Sequence, residues 1–383
     1  PYVEGAVGLF NLTSMTMTVL GFADGPATAF RVVNQALWVF GPFWVMDGLE
    51  VKGAAAFTFA DGWSTVDGLY FGSGDGAVLA AAVGETFTLP ADPTLESMVL
   101  GGEFDAVGGR QAKHVLRYVN KEWVAMGAGF EHDVRAMVVW DGLVVASSVD
   151  PDEGMTGKSR IAYWDGHNWV NLGNWPGTYQ AYALADYNGV LFAAGYFRSL
   201  QKPQQQRRDG DHQPQPRAEY PSGPASMVAY LDETLGDWRQ VPDGPYGYVY
   251  ALAVYDGVLV VGGNFGEVDS TGRAKLVTWD GAEWGGLAGV QDIYDGYVTS
   301  LLVADGVLYV GGSFHHVVLD TEGTVDVNHI MAWNGTAWDM FDGGLSLRDE
   351  WSAVTAMAWF QDQLFVSMEN CAPWYGYPCL LVY

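Results

Sequence analysis

The sequence predicts an all-β fold: a seven-bladed β-propeller of four-stranded antiparallel blades, the last blade closed by the N-terminal strands. Three observations carry this. A unit recurs about every fifty residues, as propeller blades do. Each unit holds paired turn signals. A half-unit stands at each end of the chain. The unit is clearest at 298–314, Val-Thr-Ser-Leu-Leu-Val-Ala-Asp-Gly-Val-Leu-Tyr-Val-Gly-Gly-Ser-Phe, followed by Ala-Trp-Asn-Gly-Thr-Ala-Trp at 332–338. One unit earlier, 249–265 and Trp-Asp-Gly-Ala-Glu-Trp at 279–284 repeat the pattern.

The turns come in two families. Asp141-Gly142, Asn188-Gly189, Asp256-Gly257 and Asp305-Gly306 form the first; Asp165-Gly166, Asp280-Gly281 and Asn334-Gly335 form the second. Such dipeptides between apolar runs signal two-residue hairpins, whose turn positions take positive φ. Two hairpins in series make four strands. The first strand, as at Ala251-Leu252-Ala253-Val254, is small and apolar, suited to a crowded axis. The second ends in Gly-Gly-x-Phe, where glycine admits a neighbouring backbone. Strand three carries Trp164, Trp279 or Trp333, and strand four Trp169, Trp284 or Trp338. These indoles are expected to wedge between blades.

In chain order the blades are expected near 27–66, 76–127, 134–172, 181–240, 249–287 and 298–340, with the seventh made of 354–383 plus 1–22. Gly8 to Gly21 has the length of strands three and four and supplies the half missing from the C-terminal unit. Cyclic closure removes exposed sheet edges, which favours it over an open array. A chain that starts at Pro1 in mid-blade reads as a processed product or as part of a longer one.

Composition narrows function. Asp plus Glu total 45 against 18 Lys plus Arg, a net charge of −27. That field repels nucleic acid and anionic membranes. No apolar run reaches the roughly 20 residues a membrane helix needs. A well-solvated acidic surface accounts for the charge; the alternative is a hard cation such as calcium held in acidic loops. Asp150, Asp152 and Glu153, and the loop from Asp320 to Asp326, are the local candidates. No other cofactor is called for.

Two cysteines, Cys371 and Cys379, stand in Cys-Ala-Pro-Trp-Tyr-Gly-Tyr-Pro-Cys, which reads as a small disulfide loop and an oxidising compartment; two free thiols are the alternative. Asn11-Leu-Thr13 and Asn334-Gly-Thr336 are glycosylation sequons, both at the hairpin between strands three and four. Residues 198–226 interrupt the fourth blade with a Gln- and Pro-rich segment containing Arg198, Lys202, Arg207, Arg208 and Arg217. Its composition is that of a polyproline-like or unstructured loop. A basic strap on an acidic protein is expected to dock on a neighbouring copy, with Leu200 or Tyr220 adding apolar contact.

No catalytic constellation stands out. His315, His316 and His329 could meet at one rim and bind a metal, or be ordinary loop histidines. The Gly-Gly doublet, the aromatic strand and the later Trp resemble the kelch repeat. Within that group, Ala-Leu-x-x-x-Asp-Gly-x-Leu-Tyr-Val-Gly-Gly-x-Phe followed by Trp-Asp-Gly-x-x-Trp is similar to repeats of extracellular, Rax2-type cell-surface propellers. The architecture is shared with galactose oxidase, but that enzyme's Tyr–Cys copper site is not implied, because both cysteines sit in one loop. The expectation is a non-enzymatic, secreted or cell-surface structural protein that self-associates in a fibre, appendage or envelope. The alternatives are a lectin-like propeller whose Trp175, Trp374 and Tyr375 stack on sugar, and a glycan-active or metal-dependent oxidative enzyme.

Overall fold

A computed structural model describes residues 5–11, 16–33, 35–66, 68–69, 77–84, 97–108, 110–119, 122–149, 159–175, 180–197, 226–266, 268, 273–320, 323–341 and 353–369. No helix occurs among them. Six antiparallel sheets have four strands each in sequence order. The first is Ala29–Val33, Ala36–Phe40, Ala54–Thr58 and Gly62–Thr65. The second is Ala77–Gly84, Ser97–Glu103, Val115–Val119 and Glu122–Ala125. The third is Val134–Trp140, Leu143–Ser148, Arg160–Trp164 and Trp169–Asn171. The fourth is Gln180–Tyr187, Val190–Tyr196, Val228–Asp232 and Asp237–Gln240. The fifth is Gly247–Tyr255, Val258–Phe265, Leu276–Trp279 and Trp284–Gly285. The sixth is Val298–Ala304, Val307–Gly312, Ile330–Trp333 and Trp338–Asp339.

The seventh sheet joins the two ends of the chain. Its order is Ala353–Phe360, Gln363–Glu369, Gly5–Asn11 and Thr16–Ala23, extended by the short hairpin Val45–Met46 and Leu49–Glu50. Gly5 to Phe10 pair antiparallel with Glu369 to Leu364. The first strand of each sheet lies against the first strand of the next, and Ala353–Phe360 lies against Ala29–Val33. This is a propeller-like packing of antiparallel sheets.

The Gly-Gly doublet has two separate causes. A Cβ on the first glycine would invade the next sheet's valine: Gly262 meets Val298 Cγ1 at 2.5 Å and Gly311 meets Val354 Cγ1 at 2.6 Å, and Gly101 faces Val134 in the same way. Where that position is serine, the neighbour is alanine. Ser147 Oγ donates to Ala181 O at 2.7 Å, and Ser367 Oγ accepts from Ala27 N at 3.1 Å. The second glycine faces its own sheet: a Cβ on Gly263 or Gly312 would strike the carbonyl of Tyr248 or Tyr297. The first strand bulges beside these carbonyls, between Val249 and Ala251 and between Val298 and Ser300.

Threonines near the start of the first strands stitch adjacent sheets. Thr299 Oγ1 donates to Val354 O, Thr355 Oγ1 to Ala27 O and Thr28 Oγ1 to Val78 O. Strand-four tryptophans reach back to the preceding sheet, as the sequence predicts. Trp63 Nε1 donates to Leu20 O, Trp169 to Met126 O, Trp238 to Leu172 O, Trp284 to Pro242 O and Trp338 to Ala288 O, at 2.7–3.2 Å. Burying such a ring removes about 150–250 Å² from water, and its N–H stays satisfied.

The first turn family has positive φ at both residues, for example Asp256 at 48° and Gly257 at 77°. In the seventh sheet Gln361 and Asp362 take that role at 50° and 59°. The second family departs from the expectation. Trp164 pairs with Trp169, leaving a four-residue loop, and only its glycine has positive φ. Asp165 Oδ1 accepts from His167 N and Asn168 N, Asp280 Oδ1 from Ala282 N and Glu283 N, and Asn334 Oδ1 from Thr336 N and Ala337 N. The Asx turn makes a second left-handed residue unnecessary. Those amide bonds hold the Asp165 and Asp280 carboxyls below the usual carboxylate range.

Candidate functional site

The starts of the first strands and the ends of the second strands share one end of each sheet. There the fourth, fifth and sixth sheets bring five tyrosines together. Tyr196 ends strand two of the fourth sheet and Tyr248 is the second residue of strand one of the fifth; their rings stack at 4.4 Å with 13° between planes. Tyr250 continues the stack at 5.9 Å and 15° from Tyr248. Tyr182 and Tyr297 lie 6.0 and 5.6 Å from Tyr250. Tyr182 and Tyr250 occupy the bulges of their strands, which turn them off the regular alternation. Tyr196 is 38% exposed, so the outer end of the stack meets solvent. Burial, reinforced by Tyr297 and Tyr248, pushes the Tyr250 phenol up to about 12. Tyr182 Oη donates to Gln180 Oε1. The group offers ring faces and phenol hydroxyls.

The histidines divide into two environments. His315 and His329 face each other at 4.6 Å, edge to face, and His316 lies 6.4 Å from His315. His316 is held by Asp295 at 3.3 Å and Asp326 at 3.2 Å. His329 is wholly buried, with φ of 77°, and neither ring nitrogen has a protein hydrogen-bond partner; nor has His315 Nε2. Burial, then the neighbouring His315, push His329 down to about 4. The Gly312 carbonyl opposes that shift, but its contact with the ring falls outside hydrogen-bond geometry. Among the described residues no group of three or more His, Cys, Asp or Glu side chains could hold a metal ion.

Other predicted site residues are placed as follows. Asp320 and Asp326 do not share a loop. Asp320 follows the first strand, and Asp326 ends the second strand, of a hairpin of His316–Leu319 and Gly323–Asp326, whose first strand pairs with Val290–Tyr294. Asp320 takes both guanidinium nitrogens of Arg273 at 3.2–3.3 Å, while Asp326 faces His316. The Val-Val-Leu and Thr-Val segments around the acids make strands, which separates the two carboxylates. Trp175 is not an exposed sugar platform: it is 8% exposed and packs edge-on against Phe197 and Trp238. Asn334 is exposed on its turn, with Oδ1 engaged by the loop amides. Asn11 ends its strand opposite Thr16 at the corresponding hairpin of the seventh sheet. Asp150, Asp152, Glu153, Arg198, Leu200, Lys202, Arg207, Arg208, Arg217, Tyr220, Cys371, Trp374, Tyr375 and Cys379 lie outside the described residues. The tyrosine group escaped sequence reading, because its members come from three repeats and two sit at bulges.

No family model and no curated protein matches the chain by sequence. Solved structures resemble its fold. The extracellular domain of a hybrid two component system from B. thetaiotaomicron has a TM-score of 0.52 at 11% identity, over 90% of this chain and 38% of that one. The computationally designed Ika8 protein has a TM-score of 0.48 at 12% identity, over 93% of this chain and 90% of that one. The WD40 β-propeller domain of Doa1 has 0.48 at 10%, over 90% and 97%. No helix among the described residues is long and apolar enough to cross a membrane.

Proposed function

We propose that the chain is a closed seven-bladed propeller of the kelch-like, Rax2-type kind, serving as a non-enzymatic, secreted or cell-surface scaffold that self-associates. Ring closure is supported by the cyclic contacts of the first strands and by the sheet shared between 363–369 and 5–11. The observation that carries the functional reading is where the basic insertion sits. Residues 198–226 connect strands two and three of the fourth sheet, two positions after Tyr196, on a chain of net charge −27. Arg198, Lys202, Arg207, Arg208 and Arg217 would meet acidic loops of a neighbouring copy. Exposed ion pairs contribute about 0–1 kcal/mol each, so several act together, and salt weakens them. An extracellular setting agrees with two cysteines eight residues apart in sequence, the two sequons and the extracellular domain of similar fold.

Sedimentation of the full chain across a salt series tests this reading. Assembly that declines with salt, and is lost on deleting 201–222 while the thermal transition is kept, supports the strap. Equal assembly by the deleted chain would overturn it. Selective glycan binding by a monomer would favour the lectin alternative.

A further inference from the structure

We propose that Tyr196 and Tyr248 form a site of oxidative coupling, at which a peroxidase-class oxidant joins the two rings into a dityrosine bridge between neighbouring sheets. The inference rests on geometry. Their rings are nearly parallel, 13° apart, with centroids at 4.4 Å. Offset stacking at this distance brings ring carbons of one phenol over the other. Tyr196, at 38% exposed, can meet an oxidant in solution. Tyr250, Tyr182 and Tyr297 continue the aromatic contact inward, so an electron vacancy formed at one ring has several phenols over which to move.

The chemistry balances with one peroxide. Each phenol loses one electron and one proton to give a phenoxyl radical. The two radicals join through a carbon–carbon bond between positions ortho to the oxygens. Each coupled carbon then loses its hydrogen as a proton, and both oxygens are reprotonated as the rings regain aromaticity. Two hydrogen atoms leave the protein in total, and hydrogen peroxide is reduced to two waters. The product would tie strand two of the fourth sheet to strand one of the fifth, across 52 residues of chain.

Other tyrosines are more accessible but not paired. Tyr246 is 60% and Tyr294 53% exposed, and among the described residues neither has an aromatic partner. Tyr294 instead carries Lys275 Nζ 5.9 Å from its ring. Exposure alone would direct oxidation to these two and give cross-links between chains.

The test is treatment of the full chain with horseradish peroxidase and hydrogen peroxide at low protein concentration. The expected product is a monomer lighter by two hydrogens, with dityrosine fluorescence and a cross-linked peptide pair containing Tyr196 and Tyr248. Tyr248→Phe keeps the stacked ring and should remove that product, whereas Tyr294→Phe should leave it unchanged. Tyr196→Phe provides the second loss. Coupling that maps to Tyr246 or Tyr294, or persists at equal yield in Tyr248→Phe, would overturn the proposal.

Discussion

Thr355 Oγ1 donates to the main-chain oxygen of Ala27 at 2.7 Å, across 328 residues of sequence. Ala27 N in turn donates to Ser367 Oγ at 3.1 Å. Both bonds cross from the seventh sheet to the first, and Ala27 is 2% exposed. Thr355→Val keeps the shape but leaves a buried carbonyl short of its donor. A loss of about 1–3 kcal/mol is expected, read from denaturant midpoints; Thr355→Ser should recover most of it.

The glycine–valine and serine–alanine pairs across sheets predict a compensated swap. Gly311→Ser places Cβ 2.6 Å from Val354 Cγ1 and should cost about 1–3 kcal/mol through overpacking. Adding Val354→Ala reproduces the arrangement of Ser147 against Ala181. A double-mutant cycle should show the pair to be less destabilised than the sum of the single changes. Strict additivity would separate the two positions.

Trp284 is 8% exposed and its Nε1 donates to Pro242 O at 2.8 Å. Trp284→Phe should cost roughly 1–3 kcal/mol, mainly from the orphaned carbonyl and the lost volume, and Trp284→Ala about 3–5 kcal/mol. Thermal unfolding of the two variants checks the order.

Acid should weaken the fold at His329. Its folded value of about 4 lies below the ordinary 6.5, so the unfolded chain takes up the proton first as pH falls. The stability tied to the neutral ring is therefore full above about pH 6.5 and declines toward pH 4, by about 3 kcal/mol at most. His329→Asn suits the positive φ and should flatten this part of the stability–pH curve.

Much of this fold is legible because it repeats. Trp164 with Trp169, and Trp279 with Trp284, mark strands three and four, and Asp256-Gly257 marks a hairpin whose φ values match the expectation. What escapes is set by local backbone geometry and by contacts between units. The hairpin around Asp320 and Asp326 read as an acidic loop because its strands are four residues long. Trp175 read as exposed because its partners, Phe197 and Trp238, lie in the next unit. The tyrosine stack depends on bulges at Tyr182 and Tyr250, which no alternation pattern announces.

Closure of the ring by the N-terminal strands is most directly tested by removing residues 1–22 and following thermal unfolding together with particle size. Gly5–Asn11 covers the Gln363–Glu369 edge, and Leu20 O receives the Trp63 indole N–H. Loss of both should lower the transition sharply and leave a bare strand edge that aggregates. A truncated chain with an unchanged transition and a single monomeric species would contradict closure.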